Sequence, residues 1–118
     1  MVKVLHVLWN AEIGGIQTLL LQLLQAQRED RDCHPALVLC QSRGPLLEHF
    51  RELGVERTEV HIPGGYHVSP RTFRKVLRQM RSADVVHLHS FNPLIALAAL
   101  RSRRPVIYTE HGNFGTGR

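Results

Sequence analysis

The chain has 118 residues, the size of a single domain, and its 43% apolar and 21% charged residues match a soluble globular protein. That balance excludes a disordered tail, a collagen-like repeat and a disulfide scaffold, and the longest apolar run, Leu94 to Leu100, is far short of the ~20 residues of a membrane span. Fifteen basic against ten acidic side chains leave a net charge of +5 and an isoelectric point near 10.0, which favours anionic partners: phosphorylated small molecules, nucleic acid or an anionic membrane face.

The chain opens on a Val-rich run over 2–8, broken only by Lys3 and His6, as expected of a strand buried on both faces of a parallel sheet. The run is too short for a signal-peptide core. Ile16, Leu19, Leu20, Leu23 and Leu24 then recur at helical spacing. A second strand is expected over 36–40, and a helix opening at Gly44-Pro45, with Leu46, Leu47, Phe50 and Leu53 facing inward and Gly54 ending it. Residues 55–62 read as a third strand, more exposed because of its charges, and Pro63-Gly64-Gly65 breaks it. Ser69-Pro70 caps and starts a helix with Phe73, Val76, Leu77 and Met80 on its apolar face. Residues 84–89 form a fourth strand. Asn92-Pro93 opens a helix that is apolar all round to about Leu100, and such a helix needs cover on more than one side. Residues 105–109 are the fifth strand. Cys33 and Cys40, ~20 Å apart along an extended segment, are too distant for a disulfide. They read as free thiols of a reducing compartment, and the protein reads as cytoplasmic.

Strict alternation of strands and helices predicts an α/β fold, a Rossmann-like doubly wound parallel sheet of five strands in the order 3-2-1-4-5. Ligands of such sheets bind beyond the carboxyl ends of the strands at the switch point, here between strands one and four. That edge carries Trp9 to Gly15, Gln41 to Gly44, Pro63 to His67, His89 to Asn92 and Glu110 to Gly112.

Gly14-Gly15 precedes the first helix, so its backbone and the helix N-terminus can meet a phosphate; a plain strand-to-helix turn is the alternative. There is no G-x-G-x-x-G and no acidic residue ending strand two, which argues against a nicotinamide dehydrogenase. His87 and His89 share one face of their strand. No third ligand follows at metal spacing, although His111 lies on the neighbouring strand end, so no metal site is expected. His87 is expected in the core, His89 at the strand end, and His6 as a packed core histidine. His111, at the functional edge, could donate a hydrogen bond or shuttle a proton. Arg71, Arg74, Lys75, Arg78 and Arg81 form the basic face of the third helix. A solvated outer face is the first reading and contact with an anionic membrane surface the second. Nucleic acid is not expected, since no aromatic residues interleave the charges.

Strand one with Gly14-Gly15-Ile16-Gln17, then residues 84–90 (DVVHLHS), then residues 105–112 (PVIYTEHG), with the Gly-Pro-Leu-Leu helix between, resemble the N-terminal domain of family-4 glycosyltransferases. The resemblance implies retaining enzymes of the GT-B fold, in which two Rossmann-like domains face each other across a cleft. It implies that Gly14 and Gly15 approach the donor diphosphate, that His111 acts at the reacting centre, and that Asn10, His89, Ser90, Glu110 and Gly112 line the cleft. The family is usually metal-independent, so no cofactor or metal is implied, only a nucleotide-sugar donor and a sugar acceptor. Arg71, Arg74, Lys75 and Arg78 resemble the surface with which some members meet anionic membranes, implying a peripheral position at the inner membrane face.

Two domains of ~150 residues would need about 300. Residues 1–112 therefore read as a partial N-terminal domain and 113–118 as a tail where the chain is cut. The expectation is the acceptor-side part of a sugar transferase, inactive alone and prone to self-association through uncovered apolar surface. The alternative is a non-catalytic Rossmann-like module that binds a phosphorylated ligand or an anionic surface.

Overall fold

The computed structural model describes residues 1–63 and 69–109. Five parallel strands, β1 (Val2–Leu8), β2 (Cys33–Leu39), β3 (Glu56–Glu59), β4 (Val85–Leu88) and β5 (Val106–Tyr108), lie in the order β3-β2-β1-β4-β5, as the alternating pattern predicts. The crossovers are α1 (Gly15–Glu29), α2 (Leu47–Glu52), α3 (Pro70–Arg81) and α4 (Pro93–Ser102). No described helix is long and apolar enough to cross a membrane.

Side chains alternate across β1. Leu5 and Val7 enter a core with Ala36, Val38, Val86 and Leu88, covered by Val76 and Met80 of α3 and by Ile95, Ala98 and Ala99 of α4. Leu8 enters the opposite core with Leu37, Leu39, Leu20, Leu24 and Phe50, beneath α1 and α2. The two caps read from sequence form. Ser69 Oγ accepts from Thr72 N at 3.5 Å and Asn92 Oδ1 from Leu94 N at 2.9 Å, each with proline opening the helix.

Beyond single-residue trims at the ends of β4 and β5, four features differ from the expectation. β2 begins three residues earlier, because Pro35 lacks its N–H where β3 has not yet begun to pair. Gly44-Pro45 lies ahead of α2, since Gly44 takes φ +119° to let the chain pass the backbone of Ala11. β3 stops at Glu59, although Ile62 stays buried and donates its N–H to the Cys40 carbonyl at 2.9 Å. α4 is covered on one broad face only; Leu97 and Leu100, with Phe91 ahead of the helix, remain exposed. With Val106 and Tyr108 of β5, Phe91 and Leu100 line an apolar cleft of roughly 620 Å³. Cys33 and Cys40 are free thiols.

The edge strand β3 is held by charge. Arg51 grips Glu59 with two bonds, Nε to Oε2 at 2.9 Å and Nη2 to Oε1 at 2.8 Å, while Arg57 Nε adds a third at 2.6 Å. These bonds, Arg51 foremost, hold the Glu59 carboxyl down at about 2 from an ordinary value of 4.5. A group whose pKa is depressed by folding contributes stability above its unfolded pKa and loses it as the pH falls through the folded value. Urea midpoints measured from pH 6 down to pH 2 should therefore fall steadily below about pH 4.5, and Glu59→Gln should flatten that slope. An unchanged slope in the variant would contradict the assignment.

Candidate functional site

The carboxyl edge between β1 and β4 is built from loops that lock onto one another. Leaving β1, the Trp9 amide donates to Ser90 Oγ at 3.0 Å, and the Trp9 carbonyl accepts from Gln41 N at 2.7 Å. Ala11 is fully buried and exchanges two backbone bonds with the following loop, its N–H donating to the Arg43 carbonyl at 2.8 Å and its carbonyl accepting from Leu46 N at 2.9 Å. Arg43 also pairs with Glu12 at 3.3 Å and donates to Gln41 Oε1 at 2.9 Å. A Cβ on Gly44 would lie 2.3 Å from the Ala11 carbonyl carbon and oxygen, so the two loops meet only because residue 44 has no side chain.

Asn10 Oδ1 accepts from Glu12 N at 3.1 Å and from Gln17 Nε2 at 3.2 Å, fixing the turn into α1. That helix starts at Gly14 with no side-chain cap and no acidic residue in its first turn. Its first amides and the positive end of its dipole suit an anion. A Cβ on Gly15 would meet nothing within 4 Å, whereas one on Gly14 would lie 2.6 Å from Oε1 of Gln17, whose amide is held by Asn10. Open space stands in front of Gly15, while Gly14 leaves room for the Gln17 side chain.

The structure brings Asn10, Gly14, Gly15, His89 and Ser90 to this one edge. Glu110, His111 and Gly112 lie outside the described residues, as do Gly64, Gly65, Tyr66 and His67 of the third loop and the 113–118 tail. The side chain of His89 is turned beneath the edge: it is buried, and its Nε2 lies 3.0 Å from Nδ1 of the fully buried His6. His6 Nε2 in turn lies 2.8 Å from Gln27 Oε1 on α1. His87 is only half-buried, the reverse of the expected order of the pair, because α1 packs over β2 and leaves this side of β4 less covered. Its Nε2 meets Thr109 Oγ1 at 2.5 Å.

Sequence reasoning placed His6 in the core but did not join it to the other two. The signal was its register: parallel pairing sets His6 directly beside His87. Burial drives the His6 imidazole down to about 4, opposed by its bond to Gln27 and reinforced by His87, so it is neutral at pH 7.

The basic face of α3 stands as expected. Arg71, Arg74, Lys75 and Arg78 are exposed and line a shallow depression. Among the described residues no carboxylate forms an ion pair with any of them. Arg71 and Lys75 also border a cleft of roughly 570 Å³ with Ser42, Glu59 and His61, which carries this charge toward the carboxyl edge.

The model of glycosyltransferase family 4 matches residues 13–118. A GDP-mannose:cellobiosyl-diphosphopolyprenol alpha-mannosyltransferase of Xanthomonas campestris is 30% identical over a 124-residue alignment, 95% of this chain and 32% of that enzyme. The chain thus spans about a third of the length of the curated relative it matches. A glycosyltransferase structure from Rickettsia africae superposes with a TM-score of 0.63 at 15% identity, over 96% of this chain and 30% of the other. Saccharopine dehydrogenase (L-Glu forming) from Saccharomyces cerevisiae superposes almost as well, with a TM-score of 0.60 at 12% identity over 96% of this chain and 22% of that one. The two superpositions share a fold and do not choose between chemistries.

The glycines of this edge separate by function. Gly44→Ala should cost more than ~3 kcal/mol, through strain at a positive φ and a backbone clash, whereas Gly15→Ala should stay within ~0.5 kcal/mol. Urea denaturation of both variants checks this; equal effects would contradict it.

Proposed function

The chain belongs to glycosyltransferase family 4, and from that premise we propose that it forms the acceptor-side part of an enzyme that moves a sugar from a nucleotide-sugar to an acceptor. The observation that carries the reading is the uncapped N-terminus of α1 with open space before Gly15. A diphosphate placed there would meet backbone amides and a helix dipole, the fixed positive charge that a departing nucleoside diphosphate needs. Asn10 holds the turn, Ser90 pins the end of β1, and His89 supports the edge from below. His111 is the residue assigned to the reacting centre, beside Glu110 and Gly112. The dehydrogenase reading has no comparable support: Cys40 and Gln41 follow β2 where a ribose-binding acid would stand.

No metal or cofactor enters this reading of the transfer. The relative's printed name couples a nucleotide-sugar to a diphosphopolyprenol-linked acceptor, and an acceptor of that class resides in a membrane. The exposed basic face of α3 suits the anionic surface around it. The protein is accordingly placed in the cytoplasm, peripheral at the inner membrane face, with no role for nucleic acid. The donor-holding domain that the family carries is needed for turnover, so this chain alone transfers no sugar.

Two measurements test this. Labelled nucleotide-sugars with a polyprenyl-diphosphate glycolipid should give product with the complete transferase and none with the 118-residue chain. In the complete enzyme Gly15→Ala should lower kcat/KM at least ~10-fold, equivalent to ~1.4 kcal/mol, with the melting temperature unchanged. Robust turnover by the chain alone, or full activity of the variant, would overturn the reading. Separately, the chain should float with anionic but not zwitterionic vesicles, and less well as salt rises. Replacing Arg71, Arg74, Lys75 and Arg78 with Gln should abolish flotation; persistence would show that another surface binds.

A further inference from the structure

His6, His87 and His89 are the feature that glycosyl transfer leaves unexplained. One nitrogen of each ring lies within 4.8 Å of the nitrogens of the other two. The ring centroids stand 5.3, 5.2 and 4.0 Å apart. Two of the three imidazoles, His6 and His89, are buried and His87 is half-buried, which forfeits hydration that a hydrophobic trio would not. We propose that His6, His87 and His89 form a binding site for a borderline divalent cation of the zinc class, a structural ion that ties β1 to β4 beneath the cleft.

The geometry is that of a ligand set. His87 and His89 occupy alternate positions of one strand and share its face, and His6 is the register partner of His87 on the neighbouring strand. Ligand nitrogens of a tetrahedral zinc ion with ~2.0–2.1 Å bonds lie about 3.3 Å apart. His6 Nδ1 and His89 Nε2 are already 3.0 Å apart, and rotation of the soft terminal ring torsions brings in the third.

The surroundings fit as well. Gln27 Oε1 accepts from His6 Nε2, which leaves the Nδ1 lone pair directed at the other rings. A hydrogen bond that fixes tautomer and orientation in this way is the usual outer support of a metal-bound histidine. His87 Nε2 meets Thr109 Oγ1 in similar fashion. In the metal-free state His89 donates its Nε2 proton to His6; on binding, that proton moves to His89 Nδ1, so both ligand nitrogens present lone pairs with no net proton released. Three neutral imidazoles suit zinc, cobalt and nickel rather than magnesium or calcium. Half-buried His87 gives the ion its path in. The expectation of no metal rested on the lack of a third ligand near His87 and His89 in sequence. Folding supplies it from 81 residues upstream of His87, at the other end of the chain. The inference stands independently of the proposed sugar transfer.

The test uses the 118-residue chain stripped of metal by chelation and titrated with cobalt(II), whose visible ligand-field bands report coordination. One equivalent should bind with tetrahedral-type bands that zinc then displaces, and zinc should raise the melting temperature by at least ~5 °C at saturation. His87→Gln should abolish the bands. Gln27→Ala, at a half-buried helix position, should weaken binding ~10–100-fold. Because His87→Gln could unfold the chain, nitrogen-15 spectra of the wild-type histidines under zinc provide a second readout. The ring signals of His6, His87 and His89 should shift together at one equivalent. Absence of ligand-field bands, bands unaltered in the Gln27→Ala chain, or zinc shifts confined to the other histidines would each overturn the proposal.

Discussion

The central strand β1 pairs with β2 on one side and β4 on the other and buries apolar side chains on both faces, and the other features of the molecule depend on that placement. Its neighbours on both sides pair its backbone, and at its start the Lys3 amide donates instead to the Asp84 carboxylate at 2.8 Å. The chain leaves β1 toward α1 and β2 on one side of the sheet, and reaches β4 only after α3 has crossed on the other. The chain therefore continues from β1 and from β4 on opposite faces of the sheet, although the two strand ends stay joined by the bond from Trp9 to Ser90. A Rossmann-like sheet acquires its binding edge through chain direction before any side chain is chosen.

Backbone contact then makes that edge rigid. Ala11 and the chain around Gly44 exchange hydrogen bonds at a separation no side chain at residue 44 would permit. Asn10, Glu12, Gln17, Gln41 and Arg43 complete a polar lattice around the entrance to α1. Rigidity matters here because a helix N-terminus stabilises an anion only if its amides are already oriented. The glycines at this edge differ in what they permit: Gly44 lets two backbones meet, Gly14 leaves room for Gln17, and Gly15 faces open space.

Below the edge, the polar chain from Gln27 through His6 to His89 joins the helix layer to the tip of β4. Such buried groups are stable only when their partners are in place. His6 meets that condition from two elements far apart in sequence, and burial keeps it neutral. The same connection gives the edge a mechanical support and gives the histidine trio its ligand-like arrangement.

The sequence by itself determined the fold class, the strand order and the two capped helices, because these follow from local periodicity and from residues such as Ser69-Pro70 and Asn92-Pro93 that act within one turn. It also placed Gly14-Gly15 at the carboxyl edge of the sheet and the cations of α3 on an exposed face. Tertiary structure alone decided that Gly44 serves a loop crossing rather than a helix start, since the backbone it avoids belongs to Ala11. It also decided that β3 ends early at Glu59, and that His6 faces His87 and His89. Each of these is a contact between segments tens of residues apart, whose register comes from strand pairing, and no local pattern encodes it.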